Sequence, residues 1–329
     1  MCGLAGFFLG CTQPCHSRGM CHQSSGYRSP FAGWREKAGV YVDNSVSDDT
    51  PISDEFFPEG MVPVIGHPLI ASLTRLKQNE LLRLYLLRYL SFTVRLETSV
   101  VNDVMASILN GDYRGHLNTE ALLDAYKVYL DEAYHSMMCA HAIARVTSNT
   151  NQSLPDVAEF PYIKRYNSLI ASNKNRKNLN RHAMIIVSEL LITPTLTSVG
   201  AHSEGIHCAV RDVIRRHAVD EGRHHNYFGQ YLIELWANLS VDDRIYMGQL
   251  MPEAISAFLT PDFQNMNLEL QFIGLSSDDA RHVIEETYIP NMVAQQKRAS
   301  AGAVLTYMKF LEIDRLPGVQ DALDRHELS

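Results

Sequence analysis

Two segments of the 329-residue chain place an acid and an imidazole three residues apart. One reads Asp131-Glu132-Ala133-Tyr134-His135. The other reads His217-Ala218-Val219-Asp220-Glu221-Gly222-Arg223-His224. On a helix, residues three apart are separated by about 60° around the axis and ~4.5 Å along it, so Glu132 and His135 share a face. His217, Glu221 and His224 fall in one narrow stripe for the same reason. Carboxylates and imidazoles without thiolate suit iron or manganese, and they disfavour structural zinc with its closed tetrahedral sites. Two further acids, Glu97 in FTVRLETSVV and Glu189 in MIIVSELLIT, stand in apolar surroundings. No Lys or Arg lies within a helical turn of Glu189. An ionised carboxylate buried there costs several kcal/mol unless a proton, a distant Arg or a metal compensates it.

Either Glu-x-x-His pair alone reads as well as surface residues of an amphipathic helix. Both pairs, with two further glutamates on separate helices, match the carboxylate-bridged dimetal site built in four-helix bundles. Charge agrees, because four glutamates and two divalent ions sum to zero with the histidines neutral. Asp131 and Asp220, each one residue before a motif glutamate, are candidates to accept an imidazole N–H from behind the ligands.

Such a site needs long helices to position it, and four are legible. From Gln78 to Gly111, apolar residues recur every three or four positions, which predicts a helix of about eight or nine turns. A second helix is expected from about Thr119 to Val146 and a third over 178–203. The third is apolar nearly all round and should sit at the centre, kinked at Pro194. The fourth begins near Gly205 and carries the second motif. Shorter helical patterns follow in VDDRIYMGQLMPEAISAFL, SSDDARHVIEETYI and ASAGAVLTYMKFLEI. No alternating strand or solenoid repeat is found, so the fold is expected to be all-α, a bundle core with additional helices over 61–329. Residues 1–60, rich in Gly, Ser, Pro and Cys, read as an irregular N-terminal arm.

Composition excludes several classes of function. The chain has 29 basic and 37 acidic residues, a net charge of −8, and no long basic patch, which argues against a nucleic-acid partner. At 46% hydrophobic residues it is too apolar for wholesale disorder. No uninterrupted apolar run reaches the ~18 residues that span a bilayer, so no membrane association is expected. Four of the six cysteines (Cys2, Cys11, Cys15, Cys21) crowd the arm, a distribution unlike a secreted disulfide scaffold. MCGLAGFFLGC has no basic residue before it and makes a poor signal peptide, so the expected location is cytoplasmic. MCGLAGFF also resembles the start of class II glutamine amidotransferases, with Cys2 as nucleophile, but the β-rich domain that fold needs does not follow. Cys11, Cys15, Cys21 and His22 fit no strong zinc template.

The pattern as a whole resembles the p-aminobenzoate N-oxygenase family of non-haem di-iron enzymes. The resemblance runs from roughly Val62 to Leu259. It rests on VPxxxHPL at Val62–Leu69, the Glu97 helix, DExxH at Asp131–His135, the Glu189 helix and the His217–His224 spacing. It implies a ferritin-like bundle in which Glu97, Glu132, His135, Glu189, His217, Glu221 and His224 are the ligands of two iron ions, manganese being the alternative metal. It further implies O2 as co-substrate, an unidentified reductase or other external electron donor, a small-molecule amine substrate and a homodimer. The activity implied is N-oxidation in specialised metabolism. A carbon hydroxylase or desaturase and a non-enzymatic iron-binding bundle are the alternatives. Tyr89 falls where arylamine-oxidising members have a pocket tyrosine, whereas Thr195 replaces an asparagine and Val304 occupies the place of a carboxylate-binding arginine. An arylamine and an amino-acid-derived amine or oxime therefore both stay open.

Overall fold

The computed structural model describes residues 26–41, 56–112, 117–148, 157–172, 174–201 and 208–329; at 174, 194, 195, 197–201, 208 and 209 it describes backbone alone. In chain order the helices are α1 (Trp34–Lys37), α2 (Pro68–Ala71), α3 (Arg75–Leu96), α4 (Asn102–Asn110), α5 (Thr119–Ser148), α6 (Pro161–Ser172), α7 (Lys177–Ala201) and α8 (Cys208–Asn238). A C-terminal group follows: α9 (Val241–Leu259), α10 (Phe263–Phe272), α11 (Ser277–Thr287), α12 (Pro290–Ser300), α13 (Gly302–Phe310) and α14 (Val319–Arg325). Among the described residues there is no strand, in agreement with the all-α expectation.

Apolar periodicity decides the arrangement. Residues 183–187, 190 and 191 of α7 are almost wholly excluded from solvent, as a helix apolar on all sides must be. α7 packs on α8, α8 on α5 and α5 on α3 and α4; α7 also meets α4, which closes a four-sided core. α6, α9 and α13 cover the outside of α7. The helix continues through position 194 to Ala201. Three of the C-terminal helices, α9, α10 and α11, start on side-chain caps. Ser240, Asp262 and Ser276 accept the backbone N–H of Asp243, Asn265 and Asp279 at 3.2, 3.1 and 3.1 Å.

Two features differ from the sequence pattern. The stretch expected as one regular helix from Gln78 to Gly111 is α3 and α4 joined by a π-turn over Glu97–Val101, where the N–H of Asn102 reaches back five residues to the carbonyl of Glu97. Gly111, at φ 118°, ends α4. Second, part of the arm is built into the bundle, with Phe31, Trp34 and Ala38 buried in the core. The cysteines of the arm, with His22 and the MCGLAGFF stretch, lie outside the described residues. No described helix is long and apolar enough to cross a membrane.

Candidate metal centre

All seven residues singled out by spacing are buried, none more than 2% exposed. Glu97 opens the π-turn, Glu132 and His135 lie on α5, Glu189 on α7, and His217, Glu221 and His224 on α8. A π-turn inserts one residue into the helical ladder, a local rearrangement frequent at functional sites.

Six of the seven form two overlapping groups of potential ligands. Glu132, His135, Glu221 and His224 make one, and Glu97, Glu132, His217 and Glu221 make the other. Glu132 and Glu221 belong to both, the position a bridging carboxylate takes between two ions. Around them, His135 Nδ1 lies 3.1 Å from Glu132 Oε2 and 3.5 Å from Glu221 Oε1. His217 Nε2 is 3.0 Å from Glu221 Oε1 and 3.6 Å from Glu97 Oε1. Glu189 stands at the rim, its Oε2 4.0 Å from His224 Nδ1.

The two aspartates cross between helices. Asp220 on α8 meets His135 Nε2 on α5 at 3.1 Å, and Asp131 on α5 meets His224 Nε2 on α8 at 3.3 Å. The arm secures both aspartates from behind. The Trp34 indole N–H donates to the two oxygens of Asp131 at 3.0 and 2.9 Å, and the Gly39 N–H donates to Asp220 Oδ2 at 3.1 Å. A Cβ at position 39 would lie 3.0 Å from both Asp220 and Tyr134, so glycine lets the backbone come this close. Arg223 donates to the other oxygen of Asp220.

These hydrogen bonds set the protonation pattern. An imidazole that donates through Nε2 presents a lone pair at Nδ1 when neutral. His224 Nδ1 then confronts Glu132 Oε1 at 2.7 Å, yet neither atom has a hydrogen-bond partner. Glu97 Oε2, Glu189 Oε2 and Glu221 Oε2 are likewise buried and unpartnered. Burial, reinforced by the neighbouring acids, pushes Glu97 and Glu189 well above the usual carboxylate range. Burial also acts on Glu132 and Glu221, but the adjacent histidines outweigh it and hold both below that range. In His224 burial is overcome by Glu132 and Glu221, and the imidazole is raised. Converging lone pairs at the dry core of a bundle are what a cation would satisfy, and the carboxylate–imidazole donor set fits iron. Cys139, the one described cysteine with a defined side chain, offers no thiolate, because burial and Glu97 push its thiol up.

A cleft of about 530 Å³ opens beside the cluster. Thr93, four residues before Glu97, and Ile192, three after Glu189, form part of its wall. Tyr89, the tyrosine expected in a pocket, lines it with its hydroxyl buried and unpartnered. Thr195 lies outside the described side chains, and Val304 is buried on α13 without reaching this wall. Sequence reasoning missed Arg88, which lines the same cleft. Its Nε donates to Glu269 at 2.7 Å, its guanidinium lies 4.0 Å from the Tyr85 ring centroid, and its buried Nη2 has no partner. The signal was the presence of cations, Arg83 and Arg88, inside the apolar stretch LLRLYLLRYLSF.

A helical core with carboxylates and imidazoles converging at its centre defines a ferritin-like, di-iron class of protein. The model of the family described as p-aminobenzoate N-oxygenase AurF matches residues 32–312, most of the chain, and the chain belongs to that family. It is accordingly a di-iron N-oxygenase, an oxidoreductase. The match begins at residue 32 and so takes in the arm segment that carries Trp34 and Gly39.

Proposed function

We propose that the chain oxidises the nitrogen of a small arylamine bearing an anionic group, with O2 as co-substrate and electrons from an external donor. The observation that carries this reading is the set of unpartnered carboxylate and imidazole atoms meeting beside an aromatic cleft that contains one arginine with a spare donor. Glu97, Glu132, His135, Glu189, His217, Glu221 and His224 would hold two iron ions, with Asp131 and Asp220 orienting His224 and His135. When bound, the metal pair supplies O2 activation and the redox chemistry. The overall balance for the first oxidation is RNH2 + O2 + 2 e⁻ + 2 H⁺ → RNHOH + H2O.

The residues of the cleft do the rest. Tyr85, Tyr89, Phe92 and Phe258 offer ring faces and edges to an aromatic amine. Arg88 Nη2 can take a carboxylate while Nε stays with Glu269. The Tyr89 hydroxyl is kept protonated by burial, so it can donate a hydrogen bond but not act as a base. This lining favours an arylamine over an aliphatic amine or oxime, and the reaction then belongs to specialised metabolism.

We also infer a homodimer. The outward face of α5 carries Leu123, Tyr126, Leu130, Ala133, Met137 and Ala140, all exposed and spaced by alternating steps of three and four. That is the seam of a two-stranded coiled coil, and a second α5 is its natural complement.

The test is anaerobic loading with Fe(II), then O2, with p-aminobenzoate and aniline as substrates. Iron uptake should stop near two per chain, and an N-oxidised product should form. Arg88→Lys should raise KM for p-aminobenzoate and leave aniline unaffected. Oxidation on carbon alone would make the protein a hydroxylase, and uptake of many irons per chain would make it a store; either overturns the reading. Light scattering of Leu130→Glu/Met137→Glu against the parent tests the dimer, which should fall to a monomer.

A further inference from the structure

We infer that Trp34 is the point at which electrons enter the metal centre, and that the arm around it is the docking surface for an acidic one-electron carrier protein. The inference rests on a metal pair being held at the cluster, as proposed above, and is independent of the amine.

The path is continuous. Tyr41, half exposed at 51%, meets the Trp34 ring edge-on with centroids 4.9 Å apart. Trp34 is buried, and its indole N–H donates to Asp131 at 2.9 Å. Asp131 Oδ2 is 3.3 Å from His224 Nε2, and the opposite nitrogen of that imidazole faces Glu132 and Glu189. Four residues thus connect the surface to the cluster through aromatic contact and hydrogen bonds. Electronic coupling through such a chain exceeds coupling across an equal thickness of aliphatic packing. On the cleft side, by contrast, the substrate itself would stand between a donor and the centre.

The surface has a sign. Residues 26–41 hold exposed Arg28, Arg35 and Lys37 against a single acid, Glu36, giving +2 in a chain whose net charge is −8. Complementary charge would guide an acidic partner to this segment. The partner is a protein with a one-electron centre, such as a reduced iron–sulfur protein. In each transfer the carrier is oxidised by one electron and one ferric ion at the cluster is reduced to ferrous. No covalent bond forms or breaks, and Trp34 returns to its starting state. Two transfers supply the two electrons of the balance above.

The test uses the full chain loaded with ferric iron, without amine, in anaerobic stopped flow. Loss of ferric absorption is followed with a reduced plant-type ferredoxin, and separately with dithionite and methyl viologen, which need no docking site. Trp34→Phe, which keeps an aromatic ring and removes the N–H, should slow reduction by ferredoxin several-fold. Arg35→Glu/Lys37→Glu, which leaves Asp131 untouched, should slow it about tenfold at low salt and less at high salt. The charge-reversed pair should alter neither the viologen rate nor the iron content. Should Trp34→Phe lose iron, Tyr41→Leu takes its place. Parental ferredoxin rates in the variants would overturn the inference, as would equal slowing with both reductants, which would make Trp34 a support for Asp131 alone.

Discussion

Asp220→Asn isolates the step from hydrogen bonding to metal affinity. Asp220 Oδ2 receives His135 Nε2 and the Gly39 N–H, and Oδ1 receives Arg223. Asparagine keeps the shape but exchanges one acceptor oxygen for an NH2 donor. If its oxygen stays with His135 and Gly39, the NH2 opposes Arg223, and the imidazole rests on a neutral acceptor. Loss of such a partner typically lowers metal affinity 10–100-fold, about 1.4–2.7 kcal/mol. The assay is anaerobic competition for Fe(II) against a chelator at fixed pH, with Asp278→Asn as control, because Asp278 is exposed on α11 and pairs with exposed Arg281. Asp131→Asn should cost a similar amount through His224. Affinity within about twofold of the parent for both variants would refute the argument that these aspartates orient metal ligands.

Other expectations follow from single observations. Glu189→Leu removes a buried, unpartnered carboxylate, so the metal-free protein should gain thermal stability, by about 1–3 kcal/mol, while loading less iron; unchanged iron content would remove Glu189 from the ligand set. Burial lowers His182 on α7 to about 4, below its ordinary value. Between that value and about 6.5 the unfolded chain binds more protons, so stability should fall as pH falls, by about 2 kcal/mol from this group at pH 5. In His182→Leu, chemical denaturation across that range should show a shallower slope. A Cβ at Gly229 would overlap the Tyr307 hydroxyl at 2.0 Å, so Gly229→Ala should lower Tm at a cost of about 1–3 kcal/mol, relieved in part by adding Tyr307→Ala.

The bundle and the cluster were legible in the sequence because both obey a local period. Glu-x-x-His is a statement about one helix, and apolar spacing located the four helices that had to meet. The π-turn was not legible, since one widened turn leaves apolar spacing on either side unchanged. Arg88 stood in plain view inside an apolar stretch, but only tertiary packing shows that Glu269, far along the chain, takes one edge of its guanidinium and leaves Nη2 spare. The arm was the least legible part. Its Gly, Ser and Pro content argues for irregular chain, yet the described part of it holds the short helix α1 and delivers an indole N–H and a backbone N–H to two buried aspartates.

The exchanged aspartates tie metal loading to helix registry. Each of α5 and α8 carries a histidine whose orienting acid belongs to the other helix. Sliding either helix by a single residue would therefore break both pairs at once, so neither half of the centre can mature ahead of the other. Assembly of this interior should be an all-or-none event, and a half-built centre able to leak reactive oxygen should be sparsely populated along the way.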